Sequence, residues 1–425
     1  MRAALWFLAL FGVAVAAALF AGNNQGTVTL FWPPYRIDLS LNFVLLLLFG
    51  GFAVLYAALR ALSALLELPG QARRWRVQQK ERSMHAALLD ALSQLLAGRF
   101  LRSRKAAMAA LSQETALEAA GEAVPHGRQL RTLAHLVAAE SSHALQDRAT
   151  REAHLRHALD NIPDRAPMSE LELREGAQLR AARWSLDERD ATTALEHLAA
   201  LPQGAARRTL ALRARLKATR LSHQTREALE TARLLGKHRA FSPVAAQSIV
   251  RGLAIELLNG AHDPAQLQEA WMSLEPAERA MPELAIHAAQ RLTALGGDPG
   301  QVRTWLLPAW ERMVDAADPL SDTHAARLVA ALEGNLDALD PTWLARIEAA
   351  QQANPRDARL QYLSGMACLR RQLWGKAQQL FTQSTQQLEA GPLRCRAWRH
   401  LAELAERRGD VEAAATAWKN AALAS

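Results

Sequence analysis

Two long apolar runs open the chain, and a helical period of three to four residues replaces them further on. Ala3 to Ala21 is 19 residues without a charge, and Leu39 to Leu59 is a second charge-free run dominated by LNFVLLLLFGGFAVLYAAL. Each is long enough to cross a hydrocarbon core of about 30 Å as a helix. The stretch between them alternates Val28, Leu30 and Trp32 with Thr27, Thr29 and Phe31, then reads Pro33-Pro34-Tyr35. It predicts a small β-like loop capping a transmembrane hairpin, with Trp32 and Tyr35 suited to the water–lipid boundary; a periplasmic partner site is the alternative. Leu68-Pro69-Gly70 predicts the end of the second helix, after which QARRWRVQQKERSMHAALLDALSQLLAG resumes a helical pattern.

Beyond these runs the chain repeats itself. Residues 358–388 and 395–425 superpose at an offset of 37, placing Gly365 on Ala402, Cys368 on Ala405, Ala377 on Ala414 and Phe381 on Trp418. The second copy reads Trp398-x2-Leu401-Ala402, a turn at Gly409-Asp410, then Ala414-x3-Trp418, which resembles the tetratricopeptide (TPR) pattern. Small residues at 365/402 and 377/414 let paired antiparallel helices approach, while Phe381 and Trp418 are expected to fill the gap towards a following repeat. No such pair buries its apolar face alone, so neighbours must stack. Weaker copies lie at Ala191-x3-Leu195-x2-Leu198, Ala228-x3-Ala232-x2-Leu235 and Val302-x3-Leu306-x2-Ala309, the last following a turn at Gly296-Gly297-Asp298. Leu133-Ala134-x2-Val137 resembles a first helix, and about eight pairs are expected in all.

Composition and charge sharpen this into an all-α fold: two N-terminal transmembrane helices followed by a TPR-like α-solenoid. The expected divisions are a transmembrane hairpin over 1–66 (spans near 3–21 and 39–60, loop 22–38), a basic juxtamembrane linker helix over 67–83, and repeats over 84–425. The net charge of +8 is concentrated: residues 69–105 carry +7, while the rest nearly balances. That cluster follows the second apolar run, so the positive-inside rule puts both termini and the repeats in the cytoplasm of a multi-pass inner-membrane protein. Arg73, Arg74 and Arg76 flank Trp75. They suit anionic headgroups at about 1 kcal/mol per basic residue, or serve as a topology-setting flank. A nucleic-acid binder would carry its basic footprint on the folded domain, so no nucleic acid is expected. The first run also fits a signal peptide, but no clear small-x-small cleavage site sits next to a polar boundary and a second span follows within about 20 residues.

Catalytic and metal-binding patterns are not found. His154 and His157 stand at i,i+3, and no cysteine or carboxylate set completes a metal site around them in the sequence. Cys368 and Cys395 form no C-x-x-C motif, and no glycine-rich phosphate loop or nucleophile elbow occurs. Trp271, Trp305, Trp310 and Trp343 lie in helical stretches and are read as packing residues. The expectation is a non-enzyme with no catalytic, cofactor or metal residues.

The short first span, the loop GTVTLFWPPYRIDLSLNFVLLLL and the basic helical continuation into repeats together resemble the HemY family of proteobacterial inner-membrane proteins. The resemblance is strongest over residues 26–134. It implies a role in haem (porphyrin) biosynthesis as a scaffold for late-pathway enzymes, distinct from the flavin-dependent oxidase that shares the name. Two other readings remain: a carrier that binds porphyrin or haem directly, and a TPR adaptor for envelope protein assembly or quality control.

Overall fold

A computed structural model describes residues 2–22, 25–121, 125–315, 320–336, 340–389 and 391–424; side chains are described within these except at 2–5, 7–10, 20–21 and 64–74. The chain divides into two compact units, Met1–Arg174 and Glu175–Ser425.

The first unit begins with α1 (Arg2–Gly22), then β1 (Thr27–Trp32) and β2 (Tyr35–Ser40), paired antiparallel with Trp32 opposite Tyr35 at the turn. Helix α2 (Leu41–Leu96) follows without a spacer: Ser40 Oγ accepts from the Phe43 amide at 3.2 Å, capping its first turn. Of the two expected spans, one emerges among the described residues: Leu41–Ser63 is long and apolar enough to cross a membrane. The segment expected as the first span is helical, as α1, but its continuous described side chains run only from Phe11 to Leu19, short of a bilayer crossing. The remaining side chains needed for that span lie outside the described residues.

Leu68-Pro69-Gly70 does not stop the second helix; α2 runs unbroken through it for 56 residues, about 84 Å at 1.5 Å per residue. Proline fixes φ near the helical value, so the backbone passes at the loss of one amide bond, about 3 kcal/mol. Good helix formers over dozens of residues on both sides offset it. The boundaries expected at 66, 67 and 83 therefore fall inside one continuous helix. Met84 is the first fully buried side chain among the described residues. There Met84, Leu88 and Ala91 meet α3 (Phe100–Ala119) and α4 (Gly127–Ala144) through Ala107, Ala110, Ala134, Val137 and Ala138. Alanines at these crossings let the backbones close. Between them Ser103 Oγ donates to the Ala91 carbonyl at 2.7 Å and receives Ser141 Oγ at 3.0 Å, so the buried hydroxyls are satisfied. Helix α5 (Arg148–Asp160) pairs with α4.

The following helices are α6 (Met168–Asp187), α7 (Ala191–Ala199), α8 (Gln203–Ala206), α9 (Thr209–Leu221), α10 (Thr225–Lys237), α11 (Pro243–Asn259), α12 (Pro264–Met272), α13 (Pro276–Arg279) and α14 (Pro282–Ala294). Then come α15 (Pro299–Val314), α16 (Asp322–Glu333), α17 (Pro341–Ala353), α18 (Ala358–Arg370), α19 (Trp374–Gln387), α20 (Pro392–Arg407) and α21 (Val411–Leu423). Setting aside the four-residue α8 and α13, and counting the end of α2 with α3, nine helix pairs stand among the described residues where about eight were expected. A continuous core from Leu212 to Ala417 joins the pairs from α9 onward.

The 37-residue offset is visible in the backbone: α19 and α21 start 37 residues apart, at Trp374 and Val411. A Cβ on Gly365 would sit 2.8 Å from Phe381 Cε1, so this crossing needs glycine or a shifted ring. Ala377, Ala402 and Phe381 are fully buried. Trp418 departs from the expectation: it is 41% exposed and its indole N–H donates to Glu406 Oε1 at 2.7 Å. No described helix follows α21 to cover it. The weaker copies also hold: Ala228, Ala232 and Leu235 are buried, as are Val302, Leu306 and Ala309. In α7 the buried pair is Ala194 and Leu198, so that copy is shifted from the expected Ala191 and Leu195.

Candidate functional site

Within the second unit, the first helices of successive pairs (α11, α14, α16, α18 and α20) pack on one another in series. Successive second helices approach less closely, so the layer curves with its first helices on the inner side. Charged side chains bridge this inner row from α11 through α14 and α16 to α18, and from α16 across to α20. Arg251 of α11 reaches Glu283 of α14 at 3.2 Å, and His324 of α16 approaches the same carboxylate at 3.9 Å. Asp322 of α16 pairs with Arg359 of α18 at 2.9 Å, and Asp357 also binds Arg359 at 3.1 Å. These two carboxylates, Asp357 foremost, hold the Arg359 guanidinium more firmly protonated than usual. Glu333, at the end of α16, lies 3.4 Å from Arg396 Nε and 3.9 Å from His400 Nε2, both on α20.

This last cluster is the most polar part of the row. Tyr362 is fully buried beside it, and burial with the Glu333 charge pushes its phenol well above the ordinary value, so it stays a donor. Burial works against the His400 proton, but Glu333 and Glu403 outweigh it and raise the imidazole above its ordinary value. Its other face stacks on Phe381 at 5.5 Å. Despite their proximity, Glu333 Oε2 and Arg396 Nε are buried without a hydrogen bond of normal geometry, as are Tyr362 Oη, Ser364 Oγ and Gln361 Oε1. Buried polar atoms are nearly always paired, and each left unpaired costs about 1–3 kcal/mol. Such a cost is offset within the cluster, where Glu333 faces Arg396, His400 and Tyr362 together.

The residues weighed in sequence for chemistry fall elsewhere. His154 and His157 do come together, joined by His135: the His135 and His154 Nδ1 atoms are 3.0 Å apart, and the His135 and His157 ring centroids 5.3 Å apart. Among the described residues no His/Cys/Asp/Glu group has a metal-holding arrangement. Burial, then the neighbouring imidazoles and Arg131, lower His135 from 6.5 to about 4, and His154 shifts the same way. The sign follows directly. Between pH 6.5 and about 4 the unfolded chain takes up a proton that the folded His135 refuses, so stability is full above pH 6.5 and falls as the pH drops towards 4. Allowing for screening at a half-exposed site, the loss is about 2 kcal/mol. His135→Gln should flatten this acid limb in pH-dependent thermal unfolding; an unchanged limb would refute the assignment.

The tryptophans pack, as their helical placement suggests. Trp271 stacks on Trp305 at 4.9 Å, and Trp310 meets Trp343 edge-on at 5.8 Å, all four buried. Cys368 and Cys395 are buried free thiols, and burial raises Cys368. The inner-row charges were not legible beforehand, because their pairing across helices links residues 32 to 67 positions apart, and the only signal was recurrence of charge near the start or end of successive first helices.

Residues 26–146 match the family model described as HemY protein N-terminus; the match covers β1, β2 and α2 to α4. No curated protein matches this chain. A solved structure described as Naa15/Naa10 bound to HypK-THB is 13% identical, covering 79% of this chain and 58% of that one, with a TM-score of 0.26. A crystal structure of the P58(IPK) TPR domain is 14% identical, covering 76% and 99%, with a TM-score of 0.22. Superpositions this loose carry no argument about this chain, whose repeat character rests on its own helix pairs.

Proposed function

Through residues 26–146 the chain belongs to the HemY family, and from that premise we propose that it is a non-catalytic membrane scaffold that organises late enzymes of haem (porphyrin) biosynthesis. The inner row carries this reading: from α11 to α20 it presents basic and acidic side chains side by side, a charged surface that suits a polypeptide partner. The helix Leu41–Ser63 supplies the anchor. With the basic stretch continuing along the same helix, the positive-inside rule sets the repeats in the cytoplasm, against anionic lipid of the inner membrane. The haem pathway itself comes from family membership, not from the geometry.

A porphyrin or haem carrier fits the row less well. The depression between α17 and α18, lined by Leu344, Glu348, Ser364, Cys368 and Arg371, holds about 50 Å³, whereas ligand pockets hold about 300–1,000 Å³. Affinity purification of the full chain from solubilised membranes should recover haem-biosynthetic enzymes, and its deletion should alter porphyrin pools. Recovery of none, with unchanged pools, would end the proposal. A shift of the Soret band on titrating haem into the detergent-solubilised chain at micromolar concentration would favour the carrier instead.

A further inference from the structure

The hairpin of β1 and β2 has two unlike faces. Side chains alternate across a strand, and the register places Val28 opposite Leu39, Leu30 opposite Ile37 and Trp32 opposite Tyr35 on one of them. That face is wholly apolar. The other holds Thr27 with Ser40, Thr29 with Asp38, and Phe31 with Arg36. Its charges neutralise each other: Arg36 Nε lies 3.4 Å from Asp38, with the guanidinium 5.5 Å from the Phe31 ring centroid. Val28 and Leu39 at its base are partly buried, but among the described residues nothing covers the rest of the face; Trp32 is 72% exposed, Tyr35 70%, Leu30 52% and Ile37 46%. An isolated two-stranded hairpin is marginal in water, so this one needs a surface.

The chain itself indicates which surface. The Leu41 amide donates to the Gly26 carbonyl at 2.8 Å, tying the hairpin base to the first turn of the helix whose span begins at Leu41. With no spacer, the hairpin is confined to the end of that span, at the membrane boundary on whichever side the span begins. We propose that it is an interfacial lipid-binding element, lying with Leu30, Trp32, Tyr35 and Ile37 in the headgroup–acyl boundary and its Thr/Asp/Arg face in water. Trp and Tyr at the tip suit that depth, and the overall neutrality of the charged face is compatible with any headgroup. The open strand edges fix how deep it goes: their unpaired amides and carbonyls need water or headgroup partners, so the hairpin stays out of the hydrocarbon.

The test uses the full chain in phosphatidylethanolamine/phosphatidylglycerol proteoliposomes, with a nitroxide at one introduced cysteine at a time: Trp32→Cys, Ile37→Cys, Thr29→Cys, and Phe49→Cys as a reporter of the span. The native cysteines are buried, and the unsubstituted chain measures their background labelling. Expected is greater collision with oxygen than with a water-soluble nickel reagent at 32, 37 and 49, and the reverse at 29. Preferential nickel access at 32 and 37 with 49 in lipid overturns the inference and leaves the span standing. Shielding of 32 and 37 from both reagents means protein covers the face, a second copy included, and also overturns it. Nickel access at 49 removes the span, and the inference with it. As a label-free check, quenching of the intact chain by brominated lipid should drop measurably in Trp32→Phe; an unchanged quench argues against lipid contact.

Discussion

Phe381→Ala is expected to lower the unfolding free energy by about 3–5 kcal/mol, the range for emptying a fully buried aromatic site. The ring has no solvent exposure, lies against the Gly365 backbone, tilts on Tyr362 at 5.7 Å and stacks on His400 at 5.5 Å. It is thus shared by α18, α19 and α20, and its loss leaves a cavity that three helices cannot close together. Trp418, at the equivalent position one repeat later, is half-exposed and held by one bond to Glu406. Trp418→Ala should therefore cost no more than about 1.5 kcal/mol, despite removing a larger side chain. Denaturant unfolding of the full chain in detergent, followed by helical circular dichroism, measures both. Equal losses at the two positions would contradict the stacking described for this end of the array.

The second large effect lies in the first unit. Arg131 of α4 binds Glu114 of α3 through both arms, at 2.8 and 2.6 Å, and its guanidinium also reaches Glu118. Glu114 is buried, and its hydrogen bond is the main cause of the raised Arg131 value, against the desolvation that lowers it. Removing one partner of such a pair strands a charge in a dry site; replacing both with apolar groups does not. Arg131→Ala should cost about 2–4 kcal/mol, somewhat below the fully buried case because the arginine is a quarter exposed. The pair Glu114→Leu with Arg131→Met should come back to within about 1 kcal/mol of the native chain. Equal losses in the single and double variants, in the same unfolding assay, would show that packing and not the charge pair is at stake.

Sequence periodicity was most informative where packing alone decides the residue. Gly365, Ala377 and Phe381 sit at a helix crossing that admits only those sizes, so their spacing carried the fold. The turns inside the pairs were less legible. In seven of them a residue with positive φ precedes the second helix: Gly98, Gln146, Arg189, His223, Gly296, Gln372 and Gly409. An amide five residues on bonds back across the turn, as from Asp147 to Ser142, Asp190 to Ser185 and Asp410 to Ala405. Only three of the seven use glycine; the rest accept about 1 kcal/mol of backbone strain, so composition hides a turn the backbone repeats. Aspartate is the better marker, since Asp147, Asp190 and Asp410 each cap the following helix.

Pro69 misled for the opposite reason. Proline forbids one hydrogen bond, but a helix with strong formers on both sides survives that loss, and α2 continues. The candidate interaction row was illegible because its pairs join residues on different helices. Arg396 and Glu333 are 63 positions apart and meet only once α16, α18 and α20 have stacked.

The central claim is that the inner row holds enzymes of haem biosynthesis at the membrane. Its most direct test is photo-crosslinking in living cells, with a crosslinking residue in place of Asp322 on the inner row or of Arg226 on second helix α10. Both side chains are well exposed, at 94% and 55%. The account predicts a haem-biosynthetic enzyme crosslinked at 322 and not at 226. No such enzyme at 322, or equal yield at both positions, would contradict it.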